Sequence, residues 1–367
     1  MNGGAVKVLI TGGAGFIGST VASACLDSGI IPVVLDNLYR GRREFVQGRH
    51  FYEGDIADGG LIDRVFADHP DITATIHAAG LIAVSESVTE PIRYYRENVA
   101  KAIDLLDHLS RNGCHRFIFS SSASIYDSPD GDCVDEACPA APKSPYAHTK
   151  AMIERILEDA GTAGGLRVIS LRYFNPIGAD PWMRTGPPDL APTHALGRLI
   201  DSYSNSVPFR LTGTDWPTRD GSGVRDYVHV WDLAQGHIAA LRCFDDVLPP
   251  ADPQHYEAIN VGSGVGTTVL ELIAAFERVV GEALTVVEAE PRPGDVVGCY
   301  TANEKAAKLL GWQPQFDVEN GIRTALEWQR VWLSKVVGEM PPNAVRGQRG
   351  SAGGPDRRNR QARVHAG

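Results

Sequence analysis

The stretch Thr11-Gly12-Gly13-Ala14-Gly15-Phe16-Ile17-Gly18 organises the chain. Before it runs Val6-Lys7-Val8-Leu9-Ile10, an apolar run of the kind that forms a short strand buried in a parallel sheet. After it, residues 16–26 read as a helix. Glycines 12, 15 and 18 therefore fall on a strand-to-helix turn. A pyrophosphate reaches the backbone N–H groups at a helix N-terminus only where no Cβ intervenes. The spacing is not the commonest G-x-G-x-x-G fingerprint, so its surroundings must carry the reading. A second apolar run, Ile31 to Leu35, ends in Asp36, 18 positions after Gly18. An acid there can accept from a ribose 2′-OH and repels a 2′-phosphate, which favours NAD over NADP. Arg40, Arg42 and Arg43 follow closely and keep NADP open. A glycine-rich turn without a ligand is the plain alternative. Strand, glycines, helix and acid in register argue against it.

The chain has 367 residues, enough for one large α/β domain and a smaller lobe, and 43% of them are hydrophobic. A net charge of −10 argues against a general nucleic-acid binder. The six cysteines (25, 114, 133, 138, 243 and 299) form no C-x-x-C and no zinc spacing, so no metal site is expected. Scattered cysteines suggest reduced thiols and a cytoplasmic location. The N-terminus enters the first strand almost at once, so no secretory leader is expected. No uncharged apolar run approaches the roughly 18–20 residues of a membrane helix.

Up to about residue 173 strands alternate with helices, which predicts a doubly wound parallel sheet. Strands are expected near 6–11, 31–36, 49–54, 73–79, 115–121 and 166–173, with helices at 89–111 and 146–160 among those between. Asp55 closes the third strand. It suits either an adenine edge or the N-cap of a helix over 58–67. Ile76-His77-Ala78-Ala79-Gly80 ends the fourth strand in small residues, on which a flat cofactor can lie. His77 reads as a packed, hydrogen-bonded histidine. Phe117-Ile118-Phe119 runs into Ser120-Ser121-Ser122 at the carboxyl end of the sheet, where ligands bind in open α/β folds. Ser144-Pro145 then opens a helix on which Tyr146 and Lys150 share one face. A free tyrosine has a pKa of about 10. It acts as a base near neutrality only where a cation stabilises phenolate, and Lys150 or a positively charged nicotinamide can supply that charge. The Tyr–Lys spacing alone is weak. It gains force behind a serine-bearing strand end 24 residues upstream.

Beyond residue 175 helices are expected near 194–204, 231–243, 267–280, 303–310 and 318–335. A strand near 256–261 should return to the large sheet, and one near 284–289 should belong to the small lobe. The expected division is a Rossmann-like domain over 1–175, a smaller C-terminal α/β substrate lobe over 176–337 and a basic tail over 338–367. Residues 344–367 of the tail carry six arginines against one acid, Asp356, and the tail reads as a disordered end.

These motifs resemble those of the extended short-chain dehydrogenase/reductases, and within them the UDP-galactose 4-epimerases, over about 6–330. The matching stretches are TGGAGFIGS (11–19), DNL (36–38), GDI (54–56), HAAGLIAVSESV (77–88), YYRENV (94–99), FSSSASIY (119–126), SPYAHTK (144–150), LRYFNPIGA (171–179), GTDWPTRDGSGVRDYVHVWDLAQGH (213–237) and RPGD (292–295). The resemblance implies that Gly12, Gly15 and Gly18, with Phe16 and Ile17, wrap the NAD pyrophosphate. Asp36 and Asn37 would hold the adenosine ribose, and Asp55 with Ile56 the adenine. Ala78, Ala79, Gly80, Asn98, Ser120, Lys150 and Tyr173 would line the rest of the cofactor. Ser122 and Tyr146 would face the sugar 4-OH. Asn175, Asp189, Leu190, Arg210, Arg225, Tyr227, Arg292, Asp295 and Cys299 would surround a UDP-sugar. Arg suits such paired phosphate oxygens. Arg225 beside Asp226 otherwise reads as a surface ion pair. The implied activity is C4 epimerisation of a UDP-hexose with tightly bound NAD, by a homodimer joined through helices 89–111 and 146–160.

This chain departs from the pattern in three places. Ile82 stands where many members carry lysine, the 181–192 segment is short, and Cys299 stands where a bulky tyrosine is common. A small residue at that last position is associated in the family with 2-N-acetylated sugars. A buried small hydrophobe without a role in specificity is the plain alternative. Two neighbouring chemistries are a 4,6-dehydratase and a UDP-glucuronate 4-epimerase. The first needs an acid beside the catalytic hydroxyl, where Ser121-Ser122-Ala123-Ser124 offers none. A non-enzymatic sensor of NAD or sugar nucleotides would be expected to lose Ser122, Tyr146 or Lys150, and all three are present.

Overall fold

The computed structural model describes residues 6–127, 133–188, 194–290 and 296–339. Residues 1–328 form one compact unit and 329–367 a second, of which the described part is the end of the helix Val318–Glu339. Fourteen strands are described. They are β1 (Lys7–Thr11), β2 (Ile31–Asp36), β3 (His50–Glu53), β4 (Ile72–His77), β5 (Arg116–Ser122), β6 (Cys133–Val134) and β7 (Arg167–Tyr173). There follow β8 (Asn175–Ile177), β9 (Phe209–Thr212), β10 (Val224–His229), β11 (Tyr256–Val261), β12 (Gly266–Thr268), β13 (Val286–Ala289) and β14 (Tyr300–Thr301). The main sheet has the order β3-β2-β1-β4-β5-β7-β11, parallel throughout. It is the doubly wound, Rossmann-like sheet the sequence predicts, and the strand near 256–261 does return to it as an edge.

The strands alternate in detail. Val8, Ile10, Val34 and Ile118 enter one core layer, while Leu9, Val33, Leu35, Phe117 and Phe119 enter the other. A strand's side chains point to opposite faces in turn, and a sheet covered on both sides makes both sets apolar. The helices in this region are α1 (Phe16–Asp27), α2 (Gly59–Asp68), α3 (Val84–Thr89), α4 (Pro91–Tyr94), α5 (Lys101–Arg111), α6 (Pro145–Thr162), α7 (Ala195–Asn205) and α8 (Val230–Arg242); α1 and α8 cover one face of the sheet and α2, α5 and α6 the other. The predicted helix over 89–111 is instead α4, a wide π-helical turn over Tyr95–Ala100, and α5. Residue 98 lies in that turn, a common place for a functional side chain. The last helix, Val318–Glu339, extends past the expected start of the tail at 338, and the tail from 340 lies outside the described residues.

A smaller sheet, β12-β10-β8, stands beside the main one. Its core includes Ile177, Leu199, Phe209, Leu272, Phe276 and Ile322. Asp226 on β10 stitches this region together. Fully buried, it accepts from the N–H and hydroxyl of Ser263 (2.5 and 2.7 Å) and from the N–H groups of Gly264 (3.0 Å) and Thr301 (3.2 Å). Burial pushes its carboxyl up, and those donors oppose the shift. Among the described residues it makes no ion pair with Arg225, because neighbours on a strand point to opposite faces. Asp226→Ala strands several buried donors and should lower stability by about 3 kcal/mol, read as a lower urea midpoint.

Candidate active site

The β1–α1 turn is shaped by backbone contact. Gly12 has φ +72°, and a Cβ on it would stand 2.5–2.7 Å from the Ala78–Ala79 backbone at the end of β4. A Cβ on Gly18 would stand 2.3 Å from the Gly12 carbonyl oxygen. Helix α1 begins at Gly15 with no side-chain cap and no acid in its first turn, so its leading N–H groups face outward without a competing anion. This uncapped terminus in a glycine cradle fits a dinucleotide pyrophosphate.

Asp36 at the end of β2 is buried. It accepts from the N–H groups of Ala14 (3.0 Å) and Leu38 (2.8 Å), and each oxygen keeps a free lone pair. The three arginines that keep NADP open have partners of their own, though Arg40 also lines the cleft at the strand ends. Arg40 pairs with Glu86, Arg43 with Glu53, and Arg42 donates to the Pro188 carbonyl. Asp55 is not a helix cap, since Asp58 performs that task for α2 by accepting from the Leu61 N–H at 3.0 Å. Asp55 instead meets Lys101 at 2.6 Å, and Lys101 also meets Glu97 at 2.7 Å. Burial raises the Asp55 carboxyl, but the bonds from Lys101 and the Ala57 N–H outweigh it and hold it below the usual range. Lys101 was not legible as a site residue in the sequence, because its partner is 46 positions away.

A cleft of about 850 Å³ opens along the carboxyl ends of the strands. Gly12, Gly15, Phe16, Ile17 and Gly18 line it, as do Asp36, Asn37, Asp55 and Ile56. Ala78, Ala79 and Gly80 continue that wall. Asn175, Arg210, Arg225 and Tyr227 line the opposite side, where Trp216 of the 213–237 stretch joins them together with His194 and Arg198, which no motif announced. Ile82 is exposed at the rim. Arg225 donates to the carbonyls of Val224 (2.7 Å), Val297 (2.7 Å) and Val296 (3.1 Å), which holds its guanidinium in the loop that faces the cleft. The predicted residues Asp189, Leu190, Arg292 and Asp295 lie outside the described residues.

The remaining predicted residues sit behind the cleft wall. Tyr146 is 9% exposed and Lys150 is 5% exposed, both on α6. Ser122, at the end of β5, lies close enough to Tyr146 to act on its phenol. Lys150 donates to the Ser120 carbonyl at 2.7 Å, with its ammonium 4.8 Å from the Phe119 ring centre and 6.0 Å from that of Tyr146. Burial pushes this lysine down to about 8, with Glu154 opposing. The expected lowering of Tyr146 is not built into the chain alone. Burial raises its phenol, and only the Ser122 side chain works against that. The rest of the phenolate's stabilisation therefore falls to charge that arrives with the ligands.

Asn98 is buried away from the cleft. It accepts from the Leu81 N–H at 2.7 Å and donates to the Leu81 carbonyl (3.0 Å) and the Thr149 hydroxyl (3.2 Å), so it braces α6 against the loop after β4. Tyr173 is buried and donates to the Ser120 hydroxyl at 2.9 Å, with His237 on its other side. His77 is the packed histidine expected, bonded to Thr11 at 2.7 Å and held neutral mainly by burial. Cys299 is half-buried against Ala123, Ile125, Tyr126, Val134 and Phe174, and burial pushes its thiol up to about 11. Gly12→Ala should forfeit most bound dinucleotide, because its Cβ meets backbone that has no rotamer to yield. Absorbance at 260 nm of the supernatant after denaturation checks this.

The chain matches the NAD dependent epimerase/dehydratase family over residues 8–262. It is 40% identical over 340 residues to the UDP-glucose 4-epimerase of Azospirillum brasilense, covering 91% of this chain and 94% of that protein. The UDP-glucose 4-epimerase of Bacillus subtilis is 39% identical over 335 residues, 88% of this chain and 97% of its own length. Among solved structures, the Stenotrophomonas maltophila UDP-glucose-4-epimerase with bound NAD and formylated UDP-arabinopyranose superposes with a TM-score of 0.84 at 32% identity, over 90% of this chain and 99% of that one. The Bifidobacterium longum UDP-glucose 4-epimerase in complex with NAD+ and UDP gives 0.81 at 34% identity, over 89% and 98%. A glycine cradle, an acid at the end of β2 and a Ser–Tyr–Lys set, joined to relatives matched along nearly the whole chain, lead to one conclusion: the protein belongs to the NAD dependent epimerase/dehydratase family.

Proposed function

We propose that this chain interconverts UDP-galactose and UDP-glucose by inverting C4 through a 4-keto sugar, with NAD retained between turnovers. The observation that carries the reading is Tyr146 on α6 with Lys150 one turn below it, its ammonium 6.0 Å from the Tyr146 ring centre, and Ser122 at the end of β5, in a fold whose glycine cradle fits the dinucleotide. Gly12, Gly15 and Gly18 would hold the pyrophosphate, Asp36 and Asn37 the ribose, and Asp55 and Ile56 the adenine. Held there, NAD would supply a reversible hydride acceptor for C4 of the sugar. Tyr146 accepts the 4-OH proton and later returns it, while Ser122 hydrogen-bonds the same oxygen. Lys150 lends positive charge from below. Asn175, Arg210, Arg225 and Tyr227 would hold the nucleotide end while the keto sugar turns over. Asp189, Leu190, Arg292 and Asp295 are assigned to the same end by resemblance alone.

The division at 175/176 follows from these roles, with the cofactor cradle before it and most of the nucleotide-sugar side after it. Homodimerisation through 89–111 and 146–160 is supported by Ile92, Ile103 and Met152, which are exposed on those helices. Sedimentation at the monomer mass would remove that reading. No helix among the described residues is long and apolar enough to cross a membrane. The six free thiols support a reducing, cytoplasmic location.

Purified protein mixed with UDP-galactose, with no NAD added, should form UDP-glucose by NMR. Absence of conversion even with added NAD would sink the activity. Cys299 supports a wider substrate range, with UDP-N-acetylgalactosamine also turning over. Cys299→Tyr should cut that second activity at least tenfold while sparing UDP-galactose. Equal rates before and after would remove Cys299 from specificity.

A further inference from the structure

Behind the Tyr146–Lys150 face of α6 lies a buried polar cluster that the reaction steps leave unused. Glu154, one turn beyond Lys150, is 7% exposed and takes donors from two strands. Arg172 of β7 grips it as a fork, Nε to Oε1 at 3.0 Å and Nη2 to Oε2 at 2.7 Å. Ser121 of β5 donates to Oε1 as well. Arg172 also donates to the Tyr126 hydroxyl at 2.6 Å, and that hydroxyl donates to Asn260 Oδ1 of β11 at 2.8 Å. The cluster joins β5, β7, β11 and α6 at the end of the sheet where Ser122, Tyr146 and Lys150 meet.

Such an ion pair is a poor device for stability alone, because removing two charges from water offsets most of their attraction. Its location points to another use. Ser121 sits between Ser120, whose carbonyl receives the Lys150 ammonium, and Ser122, whose side chain lowers the Tyr146 phenol against burial. Among the described residues Lys150 makes no ion pair. The titratable groups around it are Tyr146 and Glu154 on its own helix, His77 from β4 and Tyr173 from β7, with His237 of α8 behind Tyr173. Burial keeps both histidines neutral and both tyrosines protonated in the chain alone. Glu154 is thus the one anion in that set.

We propose that Glu154, clamped by Arg172 and Ser121, is a positioning residue that keeps Lys150 charged and seated beneath Tyr146. The proposal rests on the reading of Tyr146 and Lys150 as the catalytic pair. In this arrangement Arg172 does two things. It fixes where the carboxylate points, and it moderates how much negative charge the ammonium feels. The fork geometry suits this, since a guanidinium holds both carboxylate oxygens in one plane.

The test is the pH–rate profile of the NAD-loaded protein on UDP-galactose, with bound NAD and thermal midpoint measured for each variant. Tyr146→Phe runs alongside. Turnover surviving in that variant overturns the catalytic reading itself, which separates that failure from failure of the present proposal. Glu154→Gln should move the alkaline limb down by about one pH unit with NAD retained, because the ammonium gives up its proton more readily. Arg172→Met leaves the carboxylate unopposed and should move the same limb up. If Glu154→Gln does not fold, Glu154→Gln with Arg172→Met leaves no bare charge and should move the limb down by a smaller amount. A limb that stays in place while the thermal midpoint falls, or that moves the same way in both single variants, overturns the proposal and leaves the pair a structural one.

Discussion

The approach of the β1–α1 turn to the end of β4 is the constraint on which the site depends. At Gly12 the backbone passes so close to Ala78 and Ala79 that no Cβ fits, and at Gly18 the helix leans on the Gly12 carbonyl in the same way. That closeness draws the uncapped start of α1 toward the strand ends. It also brings Asp36, one strand over, to the rim of the same cleft. A glycine here is needed for space as well as for its positive φ. Fixing α1 against the sheet therefore sets the cofactor's place, and every other functional group is arranged relative to it.

The proposed catalytic groups, Tyr146 and Lys150, pose an opposite problem. Tyr146 and Lys150 are more useful charged, yet they are held where water scarcely reaches. In such a place burial dominates, raising the phenol and lowering the ammonium. The chain answers with small, directed interactions. Ser122 eases the phenol down, the Ser120 carbonyl takes the ammonium, and the ring of Phe119 offers its face. The phenol is left poised, so that ligand charge entering the cleft decides its protonation. Asn98, which looks like a ligand contact in the sequence, braces the loop after β4 against α6 and so helps to hold this arrangement.

The second lobe is built on a different economy of contacts. Asp226 and Arg225 adjoin in the sequence and do not interact, because a strand sends successive side chains to opposite faces. One stitches β10 to the turn after β11 and to β14, and the other leans across the loop carbonyls at 296 and 297 toward the cleft. A pair that reads as a surface salt bridge is thus one structural residue and one site-facing residue.

The sequence by itself determined the parallel sheet, the order of its elements, the glycine turn, Asp36 and the Ser–Tyr–Lys set. Each of these is written within a few residues, as a period of two or four, a turn, or a strand end. The tertiary structure alone decided that Asp58 caps α2 and frees Asp55, that Lys101 joins Asp55, and that the arginines after β2 have partners of their own. It alone joined Glu154 to Arg172 and Ser121. The reason is physical. Local patterns report how a segment must bury itself, whereas a polar side chain's partner is chosen by which distant strand or helix lies within hydrogen-bond reach, and that follows only from packing.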